Sequence, residues 1–583
     1  MTTDDLKNKL QSVMKGEMSD DKGALRRASR DTSLFMRMPE LVVYPVDAND
    51  VSELVRVVGV ERSRGTDISV TGRAGGTDMS GGPLTTSIVV SFTKHMNHLL
   101  EVNSDQNRNV GHRMSDMFIG HAMSDIAGYA VTEPGVFYRD FEKATLEKGL
   151  LMPSYPASRS IAAMGGIVSN NAGGERTLKY GKTERYVEAV NVVLSDGSQA
   201  LFGPLTPDEL EEKKELQTLE GAIYREMDAL LTKNVALIET HRPKVSKNSA
   251  GYALWSVRNA DGTFNLAKLI CGSQGTLALW TEARIALVKP KEHRAMLVIF
   301  LSDLNILPEV VKRVLSQNPE SFESYDDHTL TLAIKLLPDL LKQMGLVRAI
   351  KLGFNFIPEA LMVLTGGVPK LILMAEFAED TSEEALRLAT KARVALAGLP
   401  VQTKIEKNEK ESEKYWIVRR ESFALLRKNF HGLSTAPFID DFVVPPASYP
   451  DFLPKLNTLL AEYSSHFIYT VAGHIGDGNL HIIPLMDLSK EENRQVILDL
   501  APKVYDLVIS EGGTTTGEHN DGIIRTPYLP MLFGAEMVAL FEKTKNIFDP
   551  LNIFNPGKKV PRQSSGQVVD PFADIKKDMI RKI

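Results

Sequence analysis

The apolar positions change their spacing several times along the chain. From Glu40 the run LVVYPVDANDVSELVRVVGVERSRGTDISV reads as strand, helix, strand. The helix is predicted over Asp50–Ser63, behind a cap at Asn49 or Asp50, and the strand over Ile68–Thr71 has the β-branched content of a buried position. Further strands are predicted at Val190–Asp196 and in a run ending Ala286–Pro290. After Pro290-Lys-Glu-His293 the texture shifts. AMLVIFLSD and KLILMAEFAED read as strands, and TSEEALRLATKARVALAG reads as a helix. Strand and helix alternating with mostly antiparallel connections predicts an α+β domain. The expected organisation is a helical, polar extension at 1–38, an α/β unit at 39–290, an α+β unit at 291–510, a glycine-rich return at 511–560 and a tail at 561–583.

Composition adds exclusions. The 583 residues carry 68 Lys and Arg against 74 Asp and Glu, a net charge of −6, so no basic field draws the chain to nucleic acid. A single cysteine, Cys271, forms neither an intrachain disulfide nor a four-thiolate cluster, so an electron carrier must be organic, a haem, or on a partner. Met1–Asp21 is polar, and no run of about 18 apolar residues occurs, so neither a signal peptide nor a spanning helix is expected. The expected location is cytoplasmic, with peripheral attachment at the inner face of a membrane as an alternative. The closing IKKDMIRKI (575–583) reads as a solvated tail or as a short amphipathic helix for a membrane surface or partner.

Several signatures fail. Gly181-Lys182-Thr183 lacks the glycine of a P-loop, because Arg176 stands at that position. No G-x-G-x-x-G follows a predicted strand, and there is no G-x-S-x-G elbow. Two glycine loops remain: Thr71-Gly-Arg-Ala-Gly-Gly-Thr-Asp-Met-Ser-Gly-Gly82 and Met164-Gly-Gly-Ile-Val-Ser-Asn-Asn-Ala-Gly-Gly174. Either one alone is also compatible with an ordinary tight turn. Together they suit a long ligand with a diphosphate and a ring, held by backbone N–H groups. Val471-Ala-Gly-His474-Ile-Gly-Asp-Gly-Asn-Leu-His481 reads as strand, turn, strand and brings two imidazoles to one end. With a carboxylate such as Glu518 they make a common divalent-metal set.

These motifs, in this order, together with EPGV (133–136), YPAS (155–158), YGKTERYV (180–187) and GSQGTLALWTEA (272–283), resemble the vanillyl-alcohol-oxidase-type flavoproteins. Within that group they resemble the branch of D-lactate dehydrogenase, D-2-hydroxyglutarate dehydrogenase and glycolate oxidase. The resemblance spans about residues 30–560. It implies a PCMH-type FAD-binding domain followed by a ferredoxin-like α+β cap. It implies that Arg73, Ala74, Gly75, Gly76 and Thr77 wrap the FAD diphosphate. Pro156, Ala157, Ser158, Gly165, Gly166, Asn170, Asn171, Gly173 and Gly174 would line the rest of the cofactor path, with Asn555 contributing from the return segment. The first loop has neither His nor Cys, so the expected FAD is non-covalent.

By the same resemblance His474, His481 and Glu518 are ligands of zinc or manganese, His519 is the catalytic base, and Arg419, in a W-x-x-R helix, clamps the substrate carboxylate. Gln274 stands where relatives commonly have Glu. Ile439, two residues before Asp441, and Ile483, two after His481, stand where the hydroxyglutarate enzymes carry polar contacts to a distal carboxylate. The expected activity is oxidation of a D-2-hydroxy acid, D-lactate favoured, with D-2-hydroxyglutarate and glycolate as alternatives. Electrons would pass to a quinone, a cytochrome, an electron-transfer flavoprotein or an iron–sulfur subunit, and a homodimer through 291–510 is an arrangement the fold allows. Rival classes are an alkylglycerone-phosphate-synthase-like transferase, a metallohydrolase and a non-catalytic subunit. Residues 106–124 read as an insertion with surface histidines His112 and His121.

Overall fold

Strand Leu41–Tyr44 pairs in parallel with Ile88–Ser91, which pairs in parallel with Val70–Arg73. The computed structural model describes residues 2–104, 125–327, 329, 369–429, 432–561, 563–564, 567–568 and 570–580. The 106–124 insertion lies outside them. A short strand, Glu17–Ser19, adds antiparallel to Leu41–Tyr44, so the extension expected to be helical contributes an edge to this sheet. The helix beside it runs Ala48–Ser63 and is capped by Asp47, whose carboxylate accepts from Asp50 N at 2.9 Å. The expected caps lie inside the helix. Asp50 is buried and instead accepts the amides of Lys15, Gly16 and Val46.

A second, antiparallel sheet is ordered Leu99–Asn103, Ile126–Thr132, Leu279–Val288, Val187–Val193, Gln199–Phe202. The two glycine loops lie between these sheets' strands in the chain. The first follows Val70–Arg73. The second begins as the short helix Met164–Asn170 and ends with Asn171 in the left-handed region at φ +51°.

The third sheet has seven strands, and its first part is ferredoxin-like. Its order is Gln402–Glu406, His293–Leu301, Leu371–Glu379, Ser321–Asp326. Each strand–helix–strand unit is split by a strand of the other. Successive side chains alternate between faces. Ala295, Leu297, Ile299 and Leu301 therefore bury against helices Leu307–Leu315 and Ser382–Ala395. Met296, Val298 and Phe300 pack with Ile372, Met374, Tyr415 and Val418, which brings in the helix Glu409–Asn429 on the other face. The sheet then continues through Val471–His474, Asn479–Ile482 and Phe442–Val443.

The return segment closes the molecule. Phe554 bridges Val70 in parallel, and Ile553 and Phe554 lie in the core of the first sheet. The tail is a docked helix, Pro571–Ile580. Ile575 and Met579 are buried in the cap core, and Arg37 pairs with Asp574 and Asp578. The solvated-tail reading therefore does not hold for residues 575–580.

Candidate active site

Three segments meet at the far edge of the seven-stranded sheet. The hairpin presents His474 and His481. Asp440 and Asp441 precede Phe442–Val443, which pairs with the hairpin through Phe442 to Leu480. Thr514 bridges Val443, which brings the 514–521 loop alongside. Asp441 adopts φ +69° and folds its carboxylate over that loop. Its Oδ2 accepts the amides of Glu518 at 2.9 Å and His519 at 2.7 Å and the Thr516 hydroxyl at 2.5 Å. From the α/β half that carries the glycine loops, the Lys182 ammonium donates to Gly517 O at 2.6 Å. The loop is thus held from both sides before any ligand is considered.

His474, His481 and Glu518 each offer a donor atom within 4.8 Å of the other two. His474 Nδ1 is hydrogen-bonded to Glu323 Oε1 at 2.7 Å, and its Nε2 faces Glu518 Oε1 at 3.3 Å. His481 Nδ1 and His519 Nδ1 bond the two oxygens of Asp440, at 3.1 and 2.7 Å. Two further sets have the same spacing, Asp440 with His481 and His519 and Asp441 with Glu518 and His519, but the Asp440 and Asp441 oxygens hold the imidazoles and the loop amides. In the set of His474, His481 and Glu518, Glu518 Oε1 is itself met by the Lys247 ammonium at 2.6 Å. Its two nitrogens and one carboxylate oxygen are a donor set that could hold a divalent ion. This is the set expected from the sequence.

The electrostatics follow from burial and pairing. Burial opposes the charged form of His519, but Asp441 and Asp440 outweigh it and raise its pKa to about 9. Burial also opposes ionisation of Glu518, yet Lys247 and His474 hold it well below the usual carboxylate range. Lys182 is the opposite case. Burial dominates there and pulls its pKa down to about 8.

Arg419 projects from the Glu409–Asn429 helix onto the same face. It pairs with Glu323, and its Nη2 lies 3.5 Å from His474 Nδ1. Its Nε is buried with no hydrogen-bond partner among the described residues. A buried guanidinium N–H without a partner is costly, and a carboxylate is its natural complement.

The glycine loops touch one another and Glu518. A Cβ on Gly165 would lie 2.9 Å from Ala74 Cβ, and one on Gly75 would lie 2.6 Å from Ile161 O. A Cβ on Gly173 would lie 3.2 Å from Glu518 Oε1, which places the second loop against Glu518. A Cβ on Gly166 would meet no protein atom within 4 Å, so this face of the helix can carry a flat ligand at backbone distance. The residues present fit FAD on that ground. Pro156, Ala157 and Ser158 form the turn before this helix, with Arg159 N donating to Pro156 O and Ala162 N to Ser158 O. Thr77 O accepts from the Thr32 hydroxyl at 2.9 Å.

Other residues expected along the cofactor path hold the frame. Arg73 donates to Arg30 O at 2.6 Å, beyond the end of the Lys22–Ala28 helix, and its charge lies near the Asp31 and Asp78 carboxylates. Asn170 donates to Asp78 Oδ1 at 2.7 Å, and Asn171 to Glu184 Oε2 at 2.9 Å. Asn555 donates to Gly82 O at 3.0 Å and Gln274 O at 2.7 Å, tying the return segment to the first loop. Gly76 takes a positive φ of 68° within that loop.

Sequence reasoning missed Glu323, Asp440, Lys247 and Asp477. An acidic pair inside the apolar run FIDDFVV was a signal for Asp440, because buried carboxylates are seldom without partners. Lys247 carries no local signal of that kind.

The chain matches the family described as "FAD binding domain" over residues 39–202 and that described as "FAD linked oxidases, C-terminal domain" over 290–559. A D-2-hydroxyglutarate dehydrogenase of Pseudomonas putida is 26% identical over 573 residues, 97% of this chain and 52% of that protein. The chain thus spans about half the length of the curated relatives that carry this name. Glycolate oxidase subunit GlcD of Bacillus subtilis is 26% identical over 98% of this chain and 99% of that protein. A D-lactate dehydrogenase of Archaeoglobus fulgidus is 28% identical over 89% and 91%. The solved structure of p-cresol methylhydroxylase aligns with a TM-score of 0.65 at 14% identity over 95% of this chain and 96% of that one, which shows the PCMH-type fold. The chain thus carries the two domains of the FAD-linked oxidases, the FAD-binding domain followed by the C-terminal domain.

Proposed function

We propose that the chain oxidises a small D-2-hydroxy acid to the 2-oxo acid, with D-lactate the favoured substrate. The observation that carries this reading is one cluster. His519 stacks on His481 at 5.2 Å, His481 meets His474 at the same distance, and Arg419 lies beside His474. A base, a metal-ligand set and a carboxylate receptor are therefore contiguous.

When bound, FAD supplies a hydride acceptor and a divalent ion on His474, His481 and Glu518 supplies a Lewis acid for the hydroxyl. The chain's own residues do the rest. Arg419 orients the substrate through its carboxylate. His519 Nε2 takes the hydroxyl proton, and Asp440 stabilises the imidazolium formed. A short substrate is favoured because Ile439 is fully buried in the apolar cap core and offers no cation to a second carboxylate. D-2-hydroxyglutarate and glycolate are the alternatives. Electrons leave to an external acceptor, such as a quinone, a cytochrome, an electron-transfer flavoprotein or an iron–sulfur subunit.

The test is anaerobic flavin absorbance after mixing with D-lactate, D-2-hydroxyglutarate or glycolate, each with and without zinc or manganese. Fastest bleaching by D-lactate supports the reading. Faster bleaching by D-2-hydroxyglutarate or glycolate transfers the substrate assignment, and a yellow protein bleached by none of them overturns the reaction. A colourless protein that cannot be reconstituted with FAD overturns the flavin chemistry itself.

A further inference from the structure

Asp440 is fully buried and spans two imidazoles with different tasks. Its Oδ1 lies 3.1 Å from His481 Nδ1, on a metal ligand, and its Oδ2 lies 2.7 Å from His519 Nδ1, on the base. The carboxylate is itself held. Its backbone carbonyl accepts Arg525 Nη2 at 2.7 Å, and the same guanidinium donates to Asn520 O at 3.0 Å, one residue beyond the base. The rings of His481 and His519 lie 5.2 Å apart with an interplanar angle of 28°.

We infer that Asp440 is a positioning residue that fixes His481 and His519 together as Nδ1–H tautomers, so that Nε2 of one faces the metal and Nε2 of the other faces the substrate hydroxyl. The inference rests on the proposed reaction for the task of His519. An ionised carboxylate only accepts, so each Nδ1 must donate and each Nε2 is left with its lone pair. Neutral imidazole has one donor and one acceptor nitrogen, and the bond made by one decides the task of the other. Because one carboxylate serves both rings, metal loading and base function are coupled. A divalent ion held by His481 would strengthen the Nδ1–H bond from that ring to Asp440 at the expense of the bond from His519. Glu323 repeats the device on the other ligand, with His474 Nδ1 on one oxygen and Arg419 on the other.

Asp440→Asn is the direct test, because an amide offers one acceptor oxygen and one donor nitrogen and cannot accept from both rings. One imidazole must then take the other tautomer, with its proton on Nε2. The expected result is a fall of roughly 10–100-fold in metal affinity, read by chelator competition, if His481 turns. If His519 turns, the expected result is a fall of about 10³–10⁴-fold in the rate of flavin reduction, with a displaced pH profile. FAD content stays at the wild-type level, and Asp440→Glu, which keeps two acceptor oxygens, recovers most of the loss. Metal affinity, reduction rate and pH profile all unchanged in Asp440→Asn would overturn the assignment.

If that variant does not fold, the wild-type protein still decides. Histidine-selective ¹⁵N labelling with long-range ¹H–¹⁵N correlation, recorded at a pH high enough that His519 is neutral and assigned through His481→Ala and His519→Ala, should show Nδ1–H for both rings. An Nε2–H tautomer at either ring overturns the inference. A wild-type protein that no hydroxy acid reduces sinks the proposed reaction, while the tautomer and metal-affinity measurements still judge Asp440.

Discussion

The Lys247 ammonium lies 2.6 Å from Glu518 Oε1, the same oxygen that faces His474 Nε2 at 3.3 Å. It also lies 3.1 Å from Asp477 Oδ2, and its side chain is fully buried. The ligand set therefore contains a fixed cation before any metal arrives. Lys247→Met removes the cation that Asp477 and Glu518 share and leaves Glu518 to His474, which costs about 3–5 kcal/mol in the metal-free protein. The same change makes the set more negative and tightens its hold on a divalent ion. Thermal denaturation with manganese and with EDTA should show a larger metal-dependent rise in Tm for the variant than for the wild type. Equal rises would contradict this account of Lys247.

His519 supplies the pH dependence. A base works in its neutral form, and Asp441 and Asp440 overcome the effect of burial to raise its pKa to about 9. Below that value the metal-free protein holds mostly imidazolium, which cannot accept a proton. Flavin reduction should therefore climb with pH through about 9. A divalent ion adds positive charge nearby and should move the inflection down. His519→Gln should lower the rate by about 10²–10⁴-fold and keep FAD bound. Stopped-flow absorbance with and without metal checks each part, and a rate that falls as pH rises would remove His519 as the base.

The sequence made the hairpin legible because it is local. His474 and His481 sit on strands joined by a four-residue connection, and Glu518 and His519 share one loop. The residues that tune them are not local. Lys247 reaches Glu518 across 271 positions and Glu323 reaches His474 across 151, and only the order of the seven-stranded sheet brings Glu323 beside the hairpin. The amino-terminal region carries helices Thr3–Gln11 and Lys22–Ala28, as its polar helical texture suggests, but one element between them was not legible. Glu17–Ser19 has no strand signal of its own and becomes one by pairing with Leu41–Tyr44. Asp50 looked like a cap, yet its carboxylate is taken by the distant amides of Lys15 and Gly16. Which face each residue of His293–Leu301 takes could not be read either, because Ala295–Leu301 is buried throughout, one face under two helices and one under a third.

Gln274 uses both ends of its amide. Its Nε2 donates to the Ser80 hydroxyl at 3.1 Å and to Asn170 Oδ1 at 3.3 Å, and its Oε1 accepts Gly522 N at 2.9 Å. It thereby joins both glycine loops to the return segment. A carboxylate in its place cannot donate and would stand near Asp78, which already accepts from Asn170 and Ser80. Gln274→Glu should cost about 1–3 kcal/mol and weaken FAD retention. Urea denaturation and flavin content after gel filtration measure the two effects. An unchanged midpoint and full flavin content would show that the amide donor is dispensable.

The helix Pro571–Ile580 gives a prediction that separates docking on the chain itself from attachment elsewhere. Its apolar residues Ile575 and Met579 are each 1% exposed, and Phe572 meets Tyr528 edge-on at 5.5 Å. Its acidic residues serve Arg37, with Asp578 at 2.5 Å and Asp574 at 2.9 Å. An amphipathic helix that binds a membrane keeps its apolar face available, and this one has spent it. Removing residues 571–583 should therefore cost stability, roughly 3–6 kcal/mol from two large buried side chains, and leave Arg37 buried without its partners. The single change Asp578→Ala should lower Tm in the same direction by less, because Asp574 remains. Calorimetry of the two variants, with vesicle sedimentation of the wild type and the truncated chain, distinguishes the readings. A truncated chain with unchanged Tm and reduced binding to anionic vesicles would return the helix to the membrane.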